Sequence, residues 1–196
     1  GLSIADKLRT QANALNQAVS NGNSAITLTQ IADKAMAEQS NILDVVKQKL
    51  VQAGTATTSS EGIDAIAKDI KKLLDQVDNI AKQTSYNGTL LLQMSAGSSA
   101  AGTALTFQMG ANAADTIATE AGVAANVSNL DGLRAVYTAA SGGTFSAGGV
   151  AATMQSAARQ FLSNIDSSLS ELNGWRADFG STQNQLESSV RNLMTQ

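Results

Sequence analysis

The residue types that most often carry enzyme chemistry are missing from this 196-residue sequence, which contains no cysteine and no histidine. It therefore has no thiol nucleophile or zinc–thiolate site, and it lacks both the commonest metal ligand and the commonest general base. A serine–lysine pair or two carboxylates could still act. However, the sequence has no Gly-x-Ser-x-Gly, Ser-x-x-Lys or phosphate-loop motif. We predict that the chain is not an enzyme and holds no cofactor or metal.

The polar side chains of greatest interest instead interrupt an apolar stripe over residues 158–193. Its members recur at alternating steps of four and three, an average of about 3.5 residues, which is typical of a helix packed lengthwise on other helices. Only Arg176 and Gln183 in the stripe are polar. The other members are Ala158, Leu162, Ile165, Leu169, Leu172, Phe179, Leu186, Val190 and Leu193. The stripe predicts a long helix over about residues 149–196.

Arg176 and Gln183 have two interpretations. They lie at the edge of the stripe and make ordinary hydrogen bonds, or they set the register between helices, as buried polar residues in such seams can. Asp178 lies two residues from Arg176, so the two side chains do not face each other on a helix. We expect their partners on a neighbouring helix or on another subunit.

Two more helices and a small β region are predicted ahead of this stripe. The first helix covers about residues 3–53, and Gly22 within it marks a potential break because glycine weakens helices. The second covers about residues 61–84, where isoleucine, leucine and valine alternate at steps of three and four. Between about residues 89 and 148 glycine, alanine, serine and threonine dominate. There we expect a strand at 105–109, a partner strand within 113–120, a short helix near 130–140, and modest burial.

The predicted fold class is mainly α: an elongated bundle of long coiled-coil-like helices with a small β-hairpin region. Only 4% of residues are aromatic, although 43% are hydrophobic, and there is no proline to kink a helix. The 13 basic and 16 acidic residues are scattered along the chain, which excludes a nucleic-acid interface of the usual basic kind. No apolar run reaches membrane-spanning length, so we predict no membrane partner.

Four segments, taken in order, resemble blocks of bacterial flagellin. They are GLSIADKLR at residues 1–9 with LNQA at 15–18, DQVDNIAKQTSYNG at 75–88, FQMGAN at 107–112, and RADFGSTQN at 176–184. The segments ADKAM at 32–36 and ILD at 42–44 resemble the epsilon-proteobacterial type. The resemblance covers about residues 1–95, 104–112 and 158–196.

The resemblance implies that residues 1–196 are a single flagellin core domain, the rod-like middle fragment, without the terminal segments and without outer domains. It implies a structural subunit of the bacterial flagellar filament, located outside the cell. The expected partners are further copies of itself, the flagellar export apparatus and a chaperone, and the junction and cap proteins. Two alternatives are a hook–filament junction protein and a coiled-coil tip or adaptor protein of a secretion system.

The resemblance also indicates individual residues. Arg176, Asp178, Gln183 and Asn184 fall in the C-terminal signature and are candidates for helix register or assembly. In flagellins detected by the host's flagellin-sensing Toll-like receptor, an arginine and a leucine lie on the first helix and a glutamate on the second. Those positions align with Val45, Lys49 and Asp69. We therefore expect weak or no recognition by that receptor. The sequence also departs from the family at residues 173–175, Asn-Gly-Trp, where the glycine should weaken the last helix.

Overall fold

The computed structural model describes residues 1–120, 122–142, 145 and 150–195. Its longest element is α1, Leu2–Ala53, a helix of 52 residues. At 1.5 Å per residue this helix is about 78 Å long. α1 continues through Gly22 without a break.

Helix α2, Ser60–Gln83, carries stabilising signals at both ends. The hydroxyl of Ser59 accepts a hydrogen bond from the backbone N–H of Gly62 at 3.1 Å and caps the N-terminus. Glu61 in the first turn and Lys82 in the last turn complement the helix dipole. The buried side chains form one stripe: Ile63, Ile66, Ala67, Ile70, Leu74, Val77, Ile80 and Ala81. This stripe faces the rest of the bundle.

Two short antiparallel hairpins follow α2. Strands β1, Ser85–Tyr86, and β2, Thr89–Leu90, form the first. Strands β3, Thr106–Gln108, and β4, Thr116–Ala118, form the second, with Phe107 opposite Ile117. Both predicted strands of the second hairpin are present, each shorter than its predicted range.

The expectation of modest burial over residues 89–148 is wrong for two stretches, 91–92 and 123–140. The second stretch includes a short helix, α3, Leu133–Ala140, that packs on α2. The buried apolar residues are Leu91, Leu92, Val123, Ala124, Ala125, Val127, Leu130, Leu133, Val136, Ala139 and Ala140. Many of them are in irregular backbone, which has no fixed period, so their pattern gave no signal of burial.

The single helix predicted over residues 149–196 is divided in two. Helix α4 is Ala151–Gln160 and helix α5 is Leu162–Met194, while Gly149 and Gln196 lie outside the described residues. The division falls at Phe161, whose ψ of −8° departs from helical geometry. The ring of Phe161 packs against Phe145 with centroids 6.0 Å apart. A tertiary contact therefore accompanies a division of the helix at a position where the sequence has neither proline nor glycine.

Helices α4 and α5 lie antiparallel along α1. As α1 is followed from its N-terminus, its polar contacts go to progressively earlier residues of α5 and α4: Asp33 with Arg176, Lys47 with Asp166, and Gly54 with Arg159. Helix α2 also packs antiparallel on α1 and contacts α4. This arrangement confirms the predicted fold class, an elongated, mainly α bundle with a small β-hairpin region.

The bundle has a long core and a smaller second core. The long core lies between α1, α2, α4 and α5 and includes fully buried Met36, Leu50 and Leu172. The second core lies where the β3–β4 hairpin packs against α1 and α5, and consists of Ala25, Met109, Ile117, Leu186 and Val190. Beyond it the N-terminal turns of α1 are exposed.

Candidate functional site

The seam between α1 and α5 contains polar residues other than the two that the stripe indicated. The buried side chains of α5 are Ile165, Ser168, Leu172, Phe179, Thr182, Leu186 and Val190. Ser168 donates to the backbone carbonyls of Asp131 at 2.6 Å and of Asn164 at 3.0 Å, and Thr182 donates to that of Asp178 at 3.0 Å. Sequence reasoning missed both hydroxyls because each lies one position before a predicted seam residue, and a back-bonded hydroxyl is readily buried.

Arg176 is half-buried and bridges two helices. Its Nε donates to Oδ1 of Asp33 on α1 at 3.0 Å, and the two side chains are 34% and 38% exposed. Sequence reasoning did not identify Asp33, which lies on the other side of the seam and about 140 residues away in the chain. An ion pair this exposed contributes at most about 1 kcal/mol, so its geometry is more informative than its energy.

The side chains of the other three candidates of the C-terminal signature make no hydrogen bond or ion pair to another helix within the described residues. Gln183 is half-buried, and its Nε2 donates to Oε1 of Glu187 at 3.1 Å on its own helix. Asp178 and Asn184 are exposed on α5. The half-burial of Arg176 and Gln183 fits both an ordinary edge position and a role in helix register, whereas Asp178 and Asn184 face outward.

The three positions aligned with the receptor site lie together on one face of α1 and α2. Val45 is 38% exposed on α1. Lys49, one helical turn further on, donates to Oδ2 of Asp69 on α2 at 3.3 Å. The carboxylate of Asp69 is therefore already paired with a cation from the same face.

A fully buried amide, which sequence reasoning also missed, joins three parts of the fold. Gln39 of α1 is 0% exposed. Its Nε2 donates to the backbone carbonyl of Val77 on α2 at 3.1 Å and to that of Ala125 at 2.7 Å. These two bonds satisfy the NH2 group of the amide, whereas Oε1 is buried with no hydrogen-bond partner among the described residues, so only half of the amide offsets the cost of its burial. The only sequence signal is a polar residue at a position where α1 faces its neighbours.

Three ionisable groups have pKa values shifted by their surroundings. Burial raises the pKa of Asp78, against a hydrogen bond that its Oδ1 accepts from the Val127 backbone N–H at 2.8 Å. Burial, and then the charge of Asp131, raises the pKa of Glu171. A hydrogen bond to Asp75 raises the pKa of Lys71. None of these groups forms a nucleophile–base pair with another among the described residues, so the shifts indicate packing and charge pairing.

The described part of the chain lacks two further classes of site. No group of three or more acidic side chains there is arranged to hold a metal ion. In the same residues, no helix combines the length and the apolar character needed to cross a membrane. The surfaces that remain as candidates are the seam edge and the outer faces of the helices.

Comparisons with known proteins agree with this architecture. Residues 1–98 match the family model described as the bacterial flagellin N-terminal helical region. Flagellin A of Helicobacter mustelae is 51% identical over 92 residues, which are 47% of this chain and 19% of that protein. Flagellin B of Helicobacter pylori is 38% identical over 174 residues, which are 89% of this chain and 31% of that protein. The chain thus spans about a fifth to a third of the length of these relatives.

Two flagellins from Bacillus resemble the chain over most of its length. The flagellin of Bacillus subtilis is 31% identical over 205 residues, covering 98% of this chain and 67% of that protein. The crystal structure of Bacillus cereus flagellin has the same fold, with a TM-score of 0.68 at 23% identity, and the match covers 89% of this chain and 88% of that one. The Helicobacter relatives also agree with the epsilon-proteobacterial type that the sequence indicated. On these grounds the chain belongs to the bacterial flagellin family.

Proposed function

We propose that this chain is the rod-like core of a structural subunit of the bacterial flagellar filament, with no enzymatic activity. The observation that carries the proposal is the antiparallel packing of α1 against α4 and α5, which builds an elongated bundle in a chain of the flagellin family. Lengthwise helix packing makes a stiff rod. Rods that associate through heterologous, non-closing contacts form an open helical filament.

One end of the rod supports burial in a larger assembly. Leu2, Ile4 and Leu8 on α1 are 81%, 62% and 62% exposed. Ile4 and Leu8 lie one helical turn apart and share a face of α1, and neighbouring exposed apolar side chains favour an interaction site. In our proposal neighbouring flagellin chains of the filament, outside the cell, cover these residues.

The location can be tested by immunogold electron microscopy of whole cells with an antibody raised against residues 1–196. Gold along the whole filament supports the proposal. Gold only at the base of the filament would contradict it in favour of a hook–filament junction protein. Gold absent from flagella would contradict it in favour of a coiled-coil adaptor of a secretion system. Cells that lack the gene provide the control for antibody specificity.

We propose that residues 1–196 form a single core domain. Phe107 packs against both hydrophobic cores. This shared contact couples the two cores, and with them the two ends of the rod. Thermal unfolding of the purified chain should then be one cooperative transition. Two separate transitions would contradict a single domain.

We propose that Arg176 sets the register between α5 and α1. It occupies a stripe position and pairs with one carboxylate across the seam, so sliding the helices by a turn would separate the pair. Arg176→Leu should lower the free energy of unfolding by no more than about 1 kcal/mol, yet reduce polymerisation of the full-length protein.

A matched control is Lys47→Leu, which removes another ion pair across these helices, Lys47 with Asp166 at 2.7 Å. Its partner is also an aspartate, but the pair is more exposed, at 43% and 56%, and Lys47 lies outside the predicted stripe. Equal effects of the two variants on filament formation would contradict a special role for Arg176.

We propose that the exposed pair Asp178 and Asn184 contacts a neighbouring subunit, and that Gln183 supports that face through Glu187. Alanine variants at Asp178 and Asn184 should leave the unfolding free energy of the isolated chain within about 0.5 kcal/mol. They should weaken or shorten filaments of the full-length protein. Normal filaments from the double variant would contradict this assignment.

We propose weak recognition by the host's flagellin-sensing Toll-like receptor. A valine replaces the arginine of detected flagellins at position 45 and a lysine replaces the leucine at position 49. The ion pair between Lys49 and Asp69 further supports this proposal, because a partner would have to displace a cation to reach the carboxylate.

Receptor-reporter cells can test this with the protein and with the double variant Val45→Arg, Lys49→Leu. The double variant should raise the response, whereas Gln48→Ala, an exposed change on the same helix, should not. Full potency of the unchanged protein would contradict the proposal.

We further propose that the full-length protein is bound by a flagellar chaperone and the export apparatus before assembly, and by junction and cap proteins in the filament. The family supports these partners, since a subunit of an external filament must be exported and added in order. Affinity purification from flagellated cells should recover them. Recovery of none of the four would contradict this part of the proposal.

A further inference from the structure

Three asparagines in the chain are followed by glycine: Asn21, Asn87 and Asn173. Such pairs can deamidate because glycine has no side chain to hinder attack by its own backbone nitrogen on the asparagine side chain. The reaction needs local backbone freedom. Sequence alone treats the three sites as equal, so the fold decides which one reacts.

The first and third pairs lie inside long helices. Asn21 is in α1, and its Nδ2 donates to the carbonyl of Gln108 at 2.8 Å while its Oδ1 accepts from Gln17. Asn173 is in α5, where its Oδ1 accepts from the Ser40 hydroxyl at 3.3 Å. In a helix interior the N–H of the following glycine donates to the carbonyl four residues earlier. Both sites must unwind before they can react.

The second pair lies at the tip of the β1–β2 hairpin. Asn87 and Gly88 both have positive φ, 50° and 79°, the signature of a two-residue hairpin turn of type I′. The register pairs Tyr86 with Thr89 and leaves the N–H of Gly88 outside the ladder. Asn87 is exposed, and a Cβ on Gly88 would have no atom within 4 Å. Only two residue pairs join the strands, so few backbone hydrogen bonds restrain the tip, although Tyr86 just before it packs against the long core.

We propose that Asn87 is a site of spontaneous deamidation and that the other two Asn–Gly pairs are protected by the fold. The backbone nitrogen of Gly88 loses its proton to solvent and attacks Cγ of Asn87. A carbon–nitrogen bond forms, the side-chain carbon–nitrogen bond breaks, and ammonia leaves. The resulting succinimide is opened by water at either carbonyl, which yields aspartate or isoaspartate.

The two products affect the hairpin differently. Aspartate tolerates the positive φ of this turn, as asparagine does. Isoaspartate adds a carbon to the backbone and disrupts the pairing of β1 with β2. Because the backbone N–H of Leu91 donates to the carbonyl of Thr84 at 3.1 Å, loss of the hairpin exposes this bond beside the buried Leu92.

The test is incubation of the purified protein in mildly alkaline buffer, followed by peptide mapping with mass spectrometry. The peptide with Asn87 should convert to aspartate and isoaspartate at least about tenfold faster than those with Asn21 and Asn173, because local opening is easier at the hairpin. In denaturant the three should convert at similar rates. The variant Asn87→Gly, which keeps the turn, should retain hydrogen-exchange protection at Leu91 that the aged wild type loses.

Two results would overturn the proposal. Conversion of the three peptides at equal rates in the folded protein would show that the fold does not select the site. Conversion at Asn21 or Asn173 ahead of Asn87 would show that the hairpin is the better protected of the structures.

Discussion

Gly22 presents a test of the packing between α1, α5 and the β3–β4 hairpin. Alanine in place of glycine inside a helix ordinarily stabilises it by about 1 kcal/mol. At Gly22, however, a Cβ would overlap Cγ2 of Val190 and lie 2.8 Å from Cε of Met109. The methionine end can move, but valine has a stiff side chain. Such overpacking costs about 1–3 kcal/mol, so Gly22→Ala should range from neutral to about 2 kcal/mol destabilising.

The matched control is Gly174→Ala in α5, where a Cβ would meet no atom within 4 Å. This variant should be stabilised by about 1 kcal/mol, which places the two variants about 1–3 kcal/mol apart. Urea unfolding with unchanged m-values gives both free energies. The double variant Gly22→Ala, Val190→Ala should be more stable than the sum of the two single effects predicts, because alanine at 190 makes room for the new Cβ. Equal stabilisation by both glycine replacements would refute the reasoning.

Three further predictions test separate parts of the structure. Burial raises the pKa of Asp78 above 3.8, so the ionised carboxylate opposes folding, and the stability that the protonated form contributes is lost as pH rises. Asp78→Asn should therefore gain stability relative to wild type as pH increases from acid to neutral. A difference in unfolding free energy between the two proteins that stays constant with pH would contradict the burial effect. Arg159→Met keeps the aliphatic stem but removes the donor to the Gly54 carbonyl at 2.8 Å near the C-terminus of α1, and should cost about 1 kcal/mol in denaturant unfolding. Met36→Ala leaves a cavity at a fully buried site and should cost about 2–5 kcal/mol of unfolding free energy. The control Met94→Ala, at a side chain 55% exposed, should change it by less than about 0.5 kcal/mol. Similar values for the two methionine variants would contradict the assigned core.

The candidate site illustrates where sequence reasoning stopped. The stripe correctly placed Arg176 on the side of α5 that faces α1, but the identity of Asp33 as its partner depends on how two helices far apart in sequence align. Ser168 and Thr182 are buried in the same seam, yet they resemble surface residues in the sequence. Each hydroxyl donates to the backbone carbonyl four residues earlier, that of Asn164 or Asp178, and such local satisfaction is invisible to a pattern of apolar residues.

The sequence by itself determined the helices, the approximate hairpin and the family, because periodicity, caps and short motifs are local properties. Tertiary structure decided what local patterns leave open: the division of the last helix at Phe161, the burial of the irregular backbone around Ala125, and the continuity of α1 at Gly22. These features depend on contacts between distant parts of the chain. At Gly22, close packing against Val190 and Met109 leaves no room for a Cβ, so the glycine allows α5 and the hairpin to approach α1. No local pattern distinguishes such a glycine from one that only weakens a helix.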